Sequence, residues 1–440
     1  MKLLNKLNID SRNFELSMFF CACCYPLFKY SYRELGDIFQ TILILGSLLH
    51  IYKYRGFFIK DKMVICLLIS IILTISSWLA SKYYIPELAK ETPKLSVLSK
   101  LFFFIIIAYW LKGIINRVYI FLSCYLIGLI LLFISHSTDS FISETILGLH
   151  GKRIDYGVVN ANHPAVLSGI ACIICIFYSI KTIYFAPKTK YLLTLPILLI
   201  SITFLAYFSF VVLATQSRQV WLAIPTSFFA SSLAYCLIKK TSKSTTVKII
   251  LSTAMIITTV LYLTTKVQYV ENRSDKEKNV ISVILSGDIE NLPYTSIGIR
   301  VHFWLEAKNW IEKNPFFGYG EEARGLVISQ SKSLPNYIKS NFSHLHNSYI
   351  ELLVQYGLFS LILFIYIYLS LVNGALKNEK TGEVFYLSLL FFIFWAITNN
   401  FESYTLQKTG EIISNIFFAI FYTFTLSDKF NTYSRDHKDA

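Results

Sequence analysis

The sequence predicts an all-α polytopic membrane protein, with about 12 transmembrane helices and a large helical outer loop between helices 9 and 10. Three observations predict it. Of 440 residues, 54% are hydrophobic and only 15% charged, against roughly 25% charged in soluble globular proteins, and the mean hydropathy is +0.52. The apolar residues fall in runs too long for a soluble core. The net charge of +14, from 41 Lys+Arg against 27 Asp+Glu, is lodged in short loops between those runs. There it acts as a topology signal rather than as a surface for nucleic acid.

A hydrocarbon core about 30 Å thick takes about 20 apolar residues as a helix, because every backbone polar group in lipid must be satisfied within its own segment. Segments that meet this demand, with some tolerance, span 14–30, 36–53, 63–81, 96–111, 117–135, 164–186, 190–213, 219–238, 247–265, 347–373, 383–398 and 411–427. Residues 1–265 therefore hold helices 1–9, 266–346 an outer module, 347–427 helices 10–12, and 428–440 a cytoplasmic tail. With both termini inside, the inner loops carry Lys53, Arg55, Lys60 and Lys62, then Lys112 and Arg117, Lys181, Lys188 and Lys190, Lys239, Lys240, Lys243 and Lys248, and Lys377 and Lys380. That distribution follows the positive-inside rule. The outer loop with Lys82, Lys90, Lys94 and Lys100 is an exception. Lys2, Lys6 and Arg12 precede the first apolar stretch with no small-residue cleavage pattern behind it, so no removable signal peptide is expected. The Cys172-x-x-Cys175 pair, like the other six cysteines, lies inside an apolar segment. Lacking water and further ligands, it reads as apolar filling rather than as a zinc or redox site.

Two outer segments exceed mere connectors: 136–163, with the Gly/Asn-rich stretch Gly151 to His163, and 266–346. Function is expected on that face. In the larger segment Val301, Trp304, Leu305 and Ile311 recur near helical spacing, with His302, Glu306, Lys308, Asn309 and Glu312 between them, until Asn314-Pro315 stops the pattern. The spacing predicts an amphipathic helix resting on the bundle or the bilayer.

Three candidates for chemistry lie on this face. Arg218 sits at the outer junction of two apolar segments, where a guanidinium faces a cavity, binds an anion or snorkels to headgroups. Arg300 opens the amphipathic helix and is either a second anion contact or a solvated charge. In the run Ser343-His344-Leu345-His346-Asn347-Ser348, His346 is expected in the first turn of a transmembrane helix, where the helix dipole favours a neutral imidazole able to accept a proton. The alternative is an interfacial histidine bonded to headgroups. His344, two residues away, is not expected to share its face. No outer loop holds an Asp-x-Asp or paired-carboxylate cluster, and no Gly-rich phosphate loop, nucleophile elbow or His-Glu-x-x-His occurs. Two arginines can hold a pyrophosphate in place of a metal ion and stabilise its departure. A neutral histidine could then deprotonate an acceptor hydroxyl for inverting attack on the sugar carbon.

These residues resemble those of the O-antigen ligase family, whose superfamily includes O-antigen polymerases and bacterial O-linked oligosaccharyltransferases. The likeness rests on the twelve-segment layout, the large loop between segments nine and ten, the Thr215-Gln216-Ser217-Arg218 turn, Gly298-Ile299-Arg300 with Asn314-Pro315-x-x-Gly318-x-Gly320, and His344-Leu345-His346-Asn347. The family's His-Asn followed nine residues on by Gly is met by Gly357, while Ser360 departs mildly from the residue usual three places later. The resemblance implies a GT-C-like arrangement in the inner membrane of a Gram-negative bacterium, with its site facing the periplasm. It further implies metal-independent transfer of O-antigen from undecaprenyl pyrophosphate to lipid A-core, with no cofactor, no nucleic acid, and membrane lipids as surroundings. Arg218 and Arg300 would bind the pyrophosphate and His346 would be the base. Glu351 would orient a substrate, hold the arginines or pair structurally; Asn347 would bond at the helix start; His344 would lend support. The Gly151 to His163 loop would line the carrier site. Polymerase, protein O-oligosaccharyltransferase and, less consistent with the pattern, transporter or flippase are the rival readings.

Overall fold

The computed structural model describes residues 10–185, 191–244, 246–251, 253–254, 258, 280, 282–287, 292–378 and 382–436. Among them every regular element is helical. The long helices are α1 (Arg12–Phe28), α2 (Arg33–Lys53), α3 (Lys62–Tyr84), α4 (Ser96–Leu111), α5 (Ile115–His136), α7 (Asn162–Phe185), α8 (Tyr191–Ala214) and α9 (Arg218–Ile238). After them come α13 (Ser348–Asn378), α14 (Glu383–Asn399) and α15 (Lys408–Asp436). Between these lie α6 (Phe141–Leu149) and, in the large loop, α10 (Ser296–Lys313), α11 (Ala323–Ser329) and α12 (Asn336–Asn341). Eight of the described helices, α2, α3, α5, α7, α8, α9, α13 and α15, are long and apolar enough to cross a membrane, and α4 and α14 are shorter apolar helices. The protein is a polytopic, all-helical membrane protein. The expected ninth span, 247–265, falls largely outside the described residues, as does much of 266–291.

Position in the bundle follows from how far apolar residues extend around each helix. On α15, Ile412, Ile413, Ile416, Phe417, Phe418, Ala419, Ile420 and Phe421 cover the whole circumference and are all buried. Its apolar window is 89% buried, against 28% for α2, α8 and α9. So α15 is the central pillar, packed on α4 and α13, and the others face lipid. It continues to Asp436, so the segment expected as a tail from 428 is helical over most of its length. The 96–111 span is a broken helix, with a 3-10 turn at Lys100–Phe102. Asn415 of α15 repairs the break, its Oδ1 accepting from Phe104 N at 2.8 Å and its Nδ2 donating to the Lys100 carbonyl at 3.0 Å. Three of the four lysines that break the charge rule have a carboxylate beside them: Lys90 with Glu322 at 3.5 Å, Lys94 with Glu321 at 3.4 Å and Lys100 with Glu411 at 2.7 Å.

A second, smaller core caps one end of the bundle, where Phe303 and Ala307 of α10 meet Ala323, Val327, Ile328, Leu334, Ile338, Leu345 and Val354. This corrects part of the expected face of the amphipathic helix, since Trp304 and Ile311 pack against this core as expected. Leu305 stays 37% exposed, while Phe303 and Ala307, one turn apart, are fully buried. The helix ends at Asn314 as the sequence suggests but starts at its Thr295 cap, so Arg300 lies inside it rather than opening it.

α13 is broken at Gly357, whose φ of 72° and ψ of −175° suit glycine almost alone. The carbonyls released by the break are taken by the Gly318-x-Gly320 turn: Tyr319 N donates to the Val354 carbonyl and Gly320 N to the Gln355 carbonyl, both at 2.9 Å, while Leu358 N donates to the Pro315 carbonyl at 2.8 Å. Broken helices survive at membrane depth only where protein satisfies their backbone in this way. A Cβ on Gly357 would lie 2.1 Å from the Phe316 carbonyl. Gly357→Ala is therefore expected to cost about 3 kcal/mol or more, read as loss of a monodisperse peak and a lower unfolding midpoint in detergent. Gly325→Ala, whose Cβ would meet nothing within 4 Å, is the control. Equal behaviour of the two would dismiss the packing role.

Candidate active site at the capped end of the bundle

The site is built where α7, α9, α13 and the turn between α14 and α15 end together. Asn347 caps α13: its Oδ1 accepts from Tyr349 N at 3.0 Å and Ile350 N at 3.1 Å, and its Nδ2 donates to the Asn400 carbonyl at 3.2 Å. His346 therefore stands one residue before the cap rather than in the first helical turn, with a left-handed φ of 52°. This corrects the expected placement. Its imidazole is governed by side-chain partners more than by the helix dipole.

Those partners are specific. His346 Nδ1 lies 2.8 Å from Glu402 Oε1, and the imidazole remains 18% exposed while the carboxyl is 2% exposed. The Phe303 ring stacks parallel to the imidazole, with centroids 6.4 Å apart. Glu402 also accepts from Ser403 N at 3.2 Å and, through Oε2, from Asn162 Nδ2 at 3.1 Å. Burial alone pushes the Glu402 carboxyl up, but the hydrogen bond and charge of His346, the Arg300 guanidinium and the Ser403 N–H outweigh it and hold the carboxyl at about 2. A carboxylate only accepts, so His346 donates through Nδ1–H, and in the neutral imidazole the lone pair is then on Nε2.

Arg300, in the first turns of α10, donates to the Ser296 carbonyl at 2.9 Å, and its charge reaches Glu402 and Tyr404. Arg218 opens α9 between two residues tied to the same cluster. Ser217 Oγ donates to Asn162 Oδ1 at 3.0 Å, and Gln219 Nε2 donates to Tyr404 OH at 2.7 Å. The Gly151 to His163 stretch touches this turn, Ile154 N donating to the Ala214 carbonyl at 3.2 Å and Arg153 Nε to the Thr215 carbonyl at 3.0 Å. Glu351 is fully buried beneath the site. Its Oε1 accepts from Leu345 N at 2.9 Å and Ser403 Oγ at 2.6 Å, and its Oε2 faces Arg324 Nη1 at 3.5 Å.

His344 lies within the electrostatic reach of His346, Arg324, Glu402 and His163, so it joins the same polar basin despite the two-residue offset. Burial, with Arg324 and His346 adding to it, depresses its imidazole to about 4. In an unfolded chain the group titrates near about 6.5. The unfolded state therefore takes up a proton first, and stability is lost as pH falls from about 6.5 toward 4. The unfolding midpoint in detergent should drop between pH 7 and pH 5, and drop less in His344→Gln. Identical slopes would place His344 in solvent.

Glu402, Ser403, Asn162 and Arg324 were not singled out from the sequence. The one available signal for Glu402 is that Phe401-Glu402-Ser403-Tyr404 sets a carboxylate in a short turn between two apolar segments. Among the described residues no three His, Cys, Asp or Glu side chains are grouped to hold a metal ion.

Residues 202–365 match the family described as O-Antigen ligase. The match covers somewhat over a third of the chain, and over that segment the chain is similar to the O-antigen ligase family. The matched span contains Arg218, Arg300, His344, His346, Asn347 and Glu351 and leaves out Asn162 and Glu402. Members of this ligase and polymerase superfamily are glycosyltransferase-like enzymes acting on lipid-linked polysaccharides. A further similarity, 30% identity over 117 residues, is to an uncharacterized protein of Haemophilus influenzae; it covers 26% of this chain and 29% of that protein. The chain thus matches less than a third of that relative's length.

Proposed function

We propose that the protein is an O-antigen ligase that moves O-antigen from undecaprenyl pyrophosphate to lipid A-core at the periplasmic face of a Gram-negative inner membrane. The observation that carries the reading is the His346–Glu402 pair at 2.8 Å, with the Arg300 charge beside it. His346 Nε2 takes the proton of an acceptor hydroxyl as its oxygen attacks the sugar carbon, and Glu402 stabilises the imidazolium that forms. The carbon–oxygen bond to the carrier breaks, and the electron pair leaves with the pyrophosphate. Arg218 and Arg300 neutralise that charge through their forked donors, in the role a divalent cation plays elsewhere. A single displacement inverts the sugar centre.

The test is the lipopolysaccharide ladder of a deletion strain. Loss of all long chains with carrier-linked polymer accumulating is the ligase outcome. Core bearing a single repeat would assign a polymerase instead, and an unchanged ladder with an unglycosylated periplasmic protein would assign protein glycosylation.

A further inference from the structure

A second basic cluster stands at the same end of the bundle, outside the site already described. Lys29 closes α1, Arg33 opens α2 and Lys408 opens α15, and α2 and α15 are both long and apolar enough to cross a membrane, so the cluster stands where spanning helices would meet the headgroup layer. Lys29 is buried and bonds Asp37, and Arg33 Nε lies 3.6 Å from the same carboxylate. The charges acting on Lys408 are those of Arg33, Lys29, Asp37 and Glu411, and Glu411 is already paired with Lys100 at 2.7 Å. Four cations thus stand with three carboxylates, Asp37, Glu411 and the exposed Glu34 beside Arg33, an excess of one positive charge, with Arg33 and Lys408 exposed. Directly below Arg33, α2 presents Leu35, Ile38 and Leu45 at 43%, 53% and 59% exposure. An apolar strip under a rim with two exposed cations fits a lipid whose chains run along α2 and whose head carries a phosphate.

The cluster is wired to the base. Tyr30 OH donates to the Thr409 carbonyl at 2.8 Å, and Thr409 Oγ1 lies 2.8 Å from His163 Nδ1. The neighbouring Asn162 holds Glu402, which holds His346. Arg218 and Arg300 approach the base from α9 and α10, whereas this cluster approaches it from α1, α2 and α15.

We propose that Lys29, Arg33 and Lys408 seat a phosphate group of the acceptor glycolipid, and so present its sugar hydroxyl to His346 from the side opposite the donor. This rests on the ligase reading above. In purified full-length protein with carrier-linked O-antigen and lipid A-core, Arg33→Ala/Lys408→Ala should raise the acceptor KM about fivefold to tenfold, the loss expected for one or two partly exposed charge contacts. The donor KM should stay unchanged, and the KM difference from wild type should vanish on dephosphorylated lipid A-core. An unchanged acceptor KM, or the same defect on the dephosphorylated acceptor, would overturn the proposal while leaving the ligase reading intact. Should wild-type protein show no transfer, the ligase reading falls, and native mass spectrometry of the full chain decides the site separately. Retention of lipid A-core over phosphatidylglycerol, abolished by the double variant, supports it. Equal retention of phosphatidylglycerol marks a general headgroup contact and overturns it.

Discussion

His346→Ala is expected to lower transfer by about 10² to 10⁴-fold, the range for a base that takes a proton in the transition state, while donor binding survives. The split between rate and affinity follows from the geometry. The imidazole is fixed through Nδ1 by a buried carboxylate, whereas the proposed mechanism assigns the donor phosphates to the guanidinium forks of Arg218 and Arg300. Glu402→Gln should reproduce much of the defect without touching substrate, because a neutral amide neither enforces the Nδ1–H tautomer nor balances an imidazolium. Glu402→Asp should recover part of it. Single-turnover rates with a fluorescent carrier-linked glycan, together with its binding to each variant, separate these cases. Loss of donor binding in His346→Ala would make the residue a phosphate clamp, and full activity of Glu402→Gln would leave the imidazole to act alone. His344→Ala should cost less than His346→Ala, since no carboxylate bond orients its ring for a proton transfer.

The spans were legible because lipid imposes one rule on each of them, enough apolar length with internal hydrogen bonding, and that rule can be read within a single segment. Asn347-x-x-x-Glu351 and the glycines at 318, 320 and 357 were visible too, but not their purpose. Gly318 and Gly320 lie nearly forty residues before Gly357, and only the fold shows that the turn they form supplies donors to the carbonyls released at the break in α13. The placement of His346 failed for a local reason. Asn347 is the better cap, so the helix begins after it and His346 takes the left-handed turn that delivers its ring to Glu402. Glu402 itself escaped because its partners, Asn162 and His346, come from segments 240 and 56 residues away. Nothing near it in sequence distinguishes a clamped carboxylate from a solvated one. The partners of Lys90, Lys94 and Lys100 were hidden for the same reason: Glu322, Glu321 and Glu411 come beside them only in the fold.

Replacing either arginine by lysine tests the metal-free part of the mechanism. Lysine keeps the charge but presents a point ammonium in place of a planar fork, so two phosphate oxygens are no longer held together as negative charge grows on them. Because such donors act mainly on the leaving group in the transition state, Arg300→Lys and Arg218→Lys should each lower turnover by about 10² to 10³-fold, the cost typical of removing one preorganised donor. The two should differ in what else they disturb. Arg300 also helps hold Glu402 ionised, so its lysine variant retains that field and should keep the acid limb of the pH profile, whereas Arg300→Gln should weaken it. Arg218 begins a helix whose neighbours Ser217 and Gln219 are already bonded to Asn162 and Tyr404, so its substitution should leave the His346–Glu402 pair in place. Turnover within threefold of wild type in either lysine variant, with the protein inserted at normal levels, would return that arginine to the headgroups.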